Sequence, residues 1–150
     1  MRTKEELKKL ACAAIDAHKE EIIAFGDSVA AEPELGFKEY KTSEKFAQLL
    51  QSLGRSPRRN VALTGVVDEY KGRSSDIRVA VMGELDAILV ADHPDADPVT
   101  GAVHACGHNA QLASVAAIAY ALHDTDILDD LSGDIVLMGV PAEEYVEITY

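Results

Sequence analysis

The chain has 150 residues, with 14 Lys plus Arg against 26 Asp plus Glu, so its formal net charge is −12. So acidic a chain, with no basic stripe, is repelled by phosphate backbones and anionic membrane surfaces, which excludes nonspecific nucleic-acid and electrostatic membrane binding. Hydrophobic residues at 47% and charged residues at 27% indicate one ordinary globular domain, long enough to bury a core without covalent staples.

Residues 1–9 are charged rather than apolar, and no window approaches 18 uninterrupted apolar residues. The expectation is a cytoplasmic protein with no signal peptide and no membrane span. In that reducing setting Cys106 is a free thiol or a metal ligand rather than half of a disulfide, and Cys12 reads as core.

Thr3 and Glu6 have the spacing of a capping box, and Leu7, Leu10, Ala11, Ala14, His18 and Ile22 recur at three and four residues. This predicts one helix with a buried face, His18 packed on it. Gly26 and the 30–36 stretch with Pro33 interrupt it. Thr42 then caps a second helix carrying Phe46, Leu49, Leu50 and Leu53, which Gly54 stops. Residues 61–70 and 77–82 are rich in strand formers and read as a hairpin closed through 71–75. Residues 89–103, with Pro94, Pro98 and Gly101, read as a loop. Residues 107–123 form a third helix with Leu112, Val115, Ala116 and Ala119 on one side, and 124–133 an acidic turn. Residues 134–140 are an apolar run of the length of a buried central strand. The order predicts an α/β fold with helices packed on a mixed β-sheet. A central strand followed so soon by the last residue creates the expectation of a truncated domain.

The segment His104-Ala-Cys-Gly-His108 carries imidazole, thiol and imidazole at alternate positions, which a turning backbone can aim at one point. Nitrogen and sulfur donors suit zinc and other late divalent metals. The alternative is a buried thiol flanked by two ordinary histidines. In Pro141-Ala-Glu-Glu144 two carboxylates directly follow an apolar strand, at the sheet edge where α/β folds place ligands. One can bind a cation while its neighbour acts as general base on water; the alternative is a solvated acidic turn. Asp86 follows another strand and has the place of a carboxylate that orients a metal-bound imidazole by accepting its other N–H. Glu84 reads equally as a site group or a surface charge. Asp95-Ala-Asp97 and Asp124-Thr-Asp126 begin like calcium loops but lack the third oxygen and central glycine, so they read as turns.

Four blocks in order resemble the M20 metallopeptidases, and within them the amidohydrolase branch of aminoacylases, indole-acetyl-amino-acid hydrolases and aminobenzoyl-glutamate hydrolase. They are Pro33-Glu-Leu-Gly-Phe37 with Thr42-Ser43, Glu84-Leu-Asp-Ala-Ile88, His104-Ala-Cys-Gly-His108 and Pro141-Ala-Glu-Glu144. The resemblance implies a zinc-peptidase-like catalytic domain in which Cys106, His108 and Glu144 are metal ligands, Glu143 is the general base and Asp86 a carboxylate near the metals. It implies two divalent cations in the complete enzyme, zinc foremost with manganese or cobalt as alternatives, and a small-molecule amide as substrate. Two departures stand out: the family's Asp two residues before Asp86 is Glu84, and its Asp after His108 is Asn109. Family members are more than twice as long, with a lid domain that dimerises and further histidine ligands. The expectation is therefore an amino-terminal part of the catalytic domain, inactive or nearly so by itself. Two readings compete with it: a non-catalytic fragment that binds a metal or partner, and a cysteine hydrolase using Cys106.

Overall fold

The computed structural model describes residues 1–144. In chain order the elements are α1 (Lys4–Ala17), α2 (Lys19–Ala30), α3 (Tyr40–Ser52), β1 (Arg58–Val61), β2 (Gly65–Tyr70), β3 (Arg78–Glu84), β4 (Ile88–Leu89), β5 (Ala102–Val103), α4 (His108–Asp124), a 3₁₀ turn (Ile127–Asp130) and β6 (Asp134–Val140). Four strands form one sheet in the order β1-β2-β6-β3, and β4 pairs antiparallel with β5 in a separate ribbon. β6 runs antiparallel to β2 and parallel to β3, so the sheet is mixed and the fold α/β as expected. Among the described residues no helix is long and apolar enough to cross a membrane.

The capping box of α1 forms as read: Glu6 N–H donates to Thr3 Oγ1 at 3.3 Å and Thr3 N–H to Glu6 Oε2 at 2.7 Å. The single helix expected beyond it is two. His18, at φ −109° and ψ 17°, breaks the chain between α1 and α2, and its ring stacks on Tyr120 of α4 with centroids 4.3 Å apart. The kink lets both helices lie along α4. Gly26 does not interrupt α2 but sits buried within it, where a Cβ would come within 3.1 Å of the Ala113 Cβ. Its role is close helix contact. Cys12, expected in the core, is exposed. The start of α3 also differs from the reading. The helix begins two residues before Thr42, and the capping oxygens come from Glu34, which accepts from Lys41 N at 3.1 Å and Thr42 N at 2.9 Å.

The expected hairpin of β2 with β3 is absent, because β6 inserts between them and takes both as partners. The true hairpin is β1 with β2. A parallel partner arriving across the α4 crossover leaves no local signal in residues 71–75, which explains the misreading. β6 is the inner strand its apolar run implied, and Leu137 on it is fully buried. Phe46 and Leu50 of α3, Leu112 and Val115 of α4, Val66, Leu85 and Leu137 meet in one core. Gly83 allows α4 to approach the end of β3: a Cβ there would lie 2.9 Å from Leu112 Cδ1 and 3.1 Å from Leu112 Cα. The fold thereby brings the start of α4 to the carboxyl ends of two parallel strands, the location where α/β sheets bind ligands.

Candidate metal centre

β3 and β6 end side by side, with Glu84 in register with Val140, and Leu85 N–H donates to Val140 O at 2.9 Å. The next residues of each strand therefore emerge at one level: Asp86 from β3, Glu143 and Glu144 from β6. Opposite them α4 begins. Gly107 precedes the helix at φ +90°, a left-handed conformation in which L side chains are strained, and the turn it makes brings Cys106 and His108 to the strand ends.

His108 is buried, and its ring is held in one orientation. Nδ1 lies 2.8 Å from the carbonyl oxygen of Asp86, which can only accept, so Nδ1 carries a proton and Nε2 is the nitrogen turned toward the carboxylates. Around Nε2 stand Glu84 Oε2 at 2.8 Å, Glu143 Oε2 at 3.7 Å and Glu144 Oε1 at 3.7 Å. Two groups of donor atoms, each mutually within 4.8 Å, share this imidazole: Cys106, His108 and Glu144, and Glu84, His108 and Glu143. Of the predicted residues, Cys106, His108, Glu143 and Glu144 thus converge. Asp86 is also present, in a different role from the one expected. Its carbonyl rather than its carboxylate takes the imidazole proton, because Oδ2 accepts from Glu144 N at 3.0 Å and Oδ1 stands 3.5 Å from Nδ1. Oδ1 is buried with no hydrogen-bond partner among the described residues.

His104 does not join the group. Both of its ring nitrogens are buried and unpartnered among the described residues, and burial pushes it down to about 4, with His108 adding to the effect. Together with His93, Asp97 and Asn109 it lines a separate recess of about 550 Å³.

The donor set fits a divalent cation. The Glu84 and Glu143 carboxylate oxygens lie within 4.8 Å of each other, where at an effective dielectric of about 20 two such charges repel by about 3 kcal/mol or more, and four carboxylates crowd one imidazole. Partial burial raises the Cys106 thiol above its ordinary value, and the Glu144 and Asp86 carboxylates act in the same direction. Every one of these strains is relieved by positive charge at the point the donors face. Donor separations of 2.8 and 3.7 Å are spanned by two metal bonds of about 2.0–2.3 Å. The described residues offer only one free imidazole nitrogen there, hence one ion through His108.

Two positioning groups escaped the sequence reading. Ala142, at φ +53°, is the left-handed step that turns the chain from β6 toward the glutamate pair. The fully buried carboxyl of Glu39 holds it, accepting from Ala142 N at 2.8 Å and from Thr64 Oγ1 at 2.6 Å. Gln111, one turn into α4, accepts from Glu84 N at 2.6 Å and ties that residue to the helix. Glu39 stands beside the Thr42-Ser43 block, but nothing local marks it as a partner of residue 142. Glu39→Ala leaves two buried donors without an acceptor at about 1–3 kcal/mol each, so urea unfolding should show a loss of about 2–6 kcal/mol. Glu39→Gln, which keeps one acceptor, should lose less.

Residues 80–147 match the model of peptidase family M20/M25/M40. The putative amidohydrolase YhaA of Bacillus subtilis (strain 168) is 34% identical over 134 residues, covering 87% of this chain and 33% of the relative. The N-acyl-L-amino acid amidohydrolase of Geobacillus stearothermophilus is 31% identical over 145 residues, covering 95% and 38% respectively. Among solved structures, the Bacillus subtilis YXEP protein, a dinuclear metal binding peptidase from the M20 family, superposes with a TM-score of 0.74 at 30% identity, over 86% of this chain and 36% of that one. The chain thus spans about a third of the length of the curated relatives it matches. The matched strands, the metal-type loop and the glutamate pair agree in assigning this chain to the M20 peptidase family.

Proposed function

We propose that this chain is part of the catalytic domain of a metal-dependent amidohydrolase that cleaves an amide bond and releases an amino acid from an N-acyl, N-aroyl or dipeptide substrate. The observation that carries this reading is the convergence of Cys106, His108 and Glu144 donors on one point beside Glu143. The Geobacillus relative, by name an N-acyl-L-amino acid amidohydrolase, supports the substrate class.

In this proposal Cys106, His108 and Glu144 hold the cation, zinc foremost, with manganese or cobalt as alternatives. A bound divalent cation supplies Lewis acidity, polarising the amide carbonyl and acidifying water. Asp86 fixes the His108 ring through its carbonyl and the Glu144 backbone through its carboxylate. Glu143, half exposed at the mouth of the site, takes a proton from the attacking water. As the carbon–nitrogen bond breaks, the same carboxyl returns that proton to the leaving amine. Oxyanion donors and the ligands of a second ion would come from sequence beyond the described residues, so the 150-residue chain alone should bind metal weakly and turn over little.

Metal-stripped protein titrated with Zn²⁺, Mn²⁺ and Co²⁺ should gain thermal stability with rising metal, since a ligand of the folded state alone stabilises it by RT ln(1 + [L]/Kd). A protein joining this segment to the rest of an M20 catalytic domain should release amino acid from a panel of N-acyl substrates and lose that release with chelator. Release that resists chelator but is abolished by a thiol reagent would favour a cysteine hydrolase instead. The reading as a non-catalytic fragment with a partner draws on β3, which ends the sheet with Val79 and Met82 exposed. Metal-independent thermal behaviour would favour it.

A further inference from the structure

We propose that the open edge of β3 pairs antiparallel with β3 of a second copy of this chain, about a two-fold axis at Val81, joining the two sheets into one. Such pairing needs no metal at His108, and absence of the dimer would leave the proposed metal centre standing.

Among the described residues β3 has β6 on one side and no strand on the other. Edge strands are normally guarded by a charge, a proline, a bulge or a short length. β3 runs for 7 residues in unbroken register with β6, and from Val79 to Gly83 it carries neither charge nor proline. Asp134 N–H donates to Ile77 O and Leu85 N–H to Val140 O, so the odd-numbered residues turn their backbone groups toward β6. Arg78, Ala80, Met82 and Glu84 therefore turn theirs outward, and the Glu84 N–H is taken by Gln111 of α4. Ala80 and Met82 are left as the open rungs in the middle of the edge.

Antiparallel pairing about Val81 fits this strand to itself. Ala80 of each copy faces Met82 of the other and exchanges both backbone hydrogen bonds with it. On the face away from α4 this sets a small side chain against a large one that is 58% exposed in the single chain. On the α4 face Val79, 54% exposed, lies opposite Gly83, and Val81 lies opposite its own copy. Beside them Ile77, Val79, Ile118 and Leu131 line an apolar groove of about 470 Å³, which the second copy covers.

Charge selects the direction. Glu84, Glu143 and Glu144 crowd His108 at the carboxyl end of β3, whereas at its start Arg78 stands beside Glu69 and Asp134. Parallel pairing would bring the two acidic ends together. Antiparallel pairing sets Arg78 of each copy opposite Glu84 of the other, an opposite-charge pair across the strands. It also holds the acidic ends a strand length apart, about 20 Å, well beyond the ~8 Å screening length at physiological salt.

Sedimentation equilibrium of the metal-free 150-residue chain from about 1 to 500 µM should show a reversible monomer–dimer equilibrium. Ala80→Pro removes an outward N–H that β6 does not use, so the monomer should fold, as circular dichroism reports. The dimer loses two hydrogen bonds by symmetry, and its dissociation constant should rise by about 10-fold or more. Should that variant fail to fold, Met82→Lys, at an exposed side chain, sets like charges diagonally across the pair and should weaken association by about 3-fold or more. Oxidative cross-linking in a Cys12→Ser, Cys106→Ser background reads the register. Val81→Cys should give a disulfide-linked dimer, because residues opposite each other in a non-hydrogen-bonded pair have Cα atoms about 4.5 Å apart. Ala80→Cys should not, since its like residue stands a diagonal away, beyond the ~7 Å that a disulfide spans. A parent chain that stays monomeric throughout overturns the proposal and leaves the edge to a strand from elsewhere in an M20 catalytic domain. A dimer that does not cross-link through Val81→Cys, or that neither Ala80→Pro nor Met82→Lys weakens, joins through another surface and overturns it as well.

Discussion

Glu143→Gln, made in a protein that joins this segment to a complete M20 catalytic domain, should lower kcat by about 10²–10⁴-fold, the contribution of a positioned general base. Metal content should remain at the parent level. Glutamine keeps the size of the side chain and its polar oxygen but cannot take a proton from water, so the loss falls on the chemical step. In the proposed assignment Glu143 is not a ligand, and its side chain is half exposed where Glu144 is 24% exposed. Glu144→Gln should do the reverse, with metal lost first and activity falling because of that. Steady-state kinetics beside elemental analysis separates the two variants. If Glu143→Gln emptied the site while Glu144→Gln left it filled, the roles of the pair would have to be exchanged.

His108→Ala should have the largest effect on metal binding. Structural zinc sites are worth about 10–16 kcal/mol over some four donors, so one donor carries about 3–4 kcal/mol, roughly 10²–10³ in affinity. His108 stands in both donor groups found among the described residues. Its removal also leaves the Asp86 carbonyl without its partner, so the metal-free variant should be less stable by about 1–3 kcal/mol in urea unfolding. Cys106→Ser should weaken binding with a smaller second penalty, because the residue is exposed and serine keeps nearly its size.

What could be read in the sequence was local. The capping box at Thr3 and Glu6, the apolar face of α4 and the uninterrupted run of β6 follow from spacing within a dozen residues, and all three appear in the fold. The β2–β3 hairpin failed because the partner of both strands lies some 60 residues further on, beyond any periodicity. Gly26 failed because a glycine is chosen in one place for freedom and in another for lack of bulk, and only the neighbouring Ala113 distinguishes them. At the site the chemistry-bearing residue types stood out as a loop and a pair, since His, Cys and Glu at strand ends are rarely accidental. The groups that aim them did not. Glu39 reaches Ala142 across 103 positions, the hydrogen bond from His108 falls on a backbone oxygen that any residue would offer, and Glu84 gains its meaning only when β6 and α4 bring His108 to it.

The shared ion can be tested directly by X-ray absorption at the zinc edge on Zn²⁺-loaded protein. A sulfur neighbour at about 2.3 Å together with nitrogen or oxygen neighbours at about 2.0–2.2 Å is the expected shell, and the sulfur should vanish in Cys106→Ser. A shell of nitrogen and oxygen alone in the parent protein, unchanged by that substitution, would contradict the centre built from Cys106, His108 and Glu144.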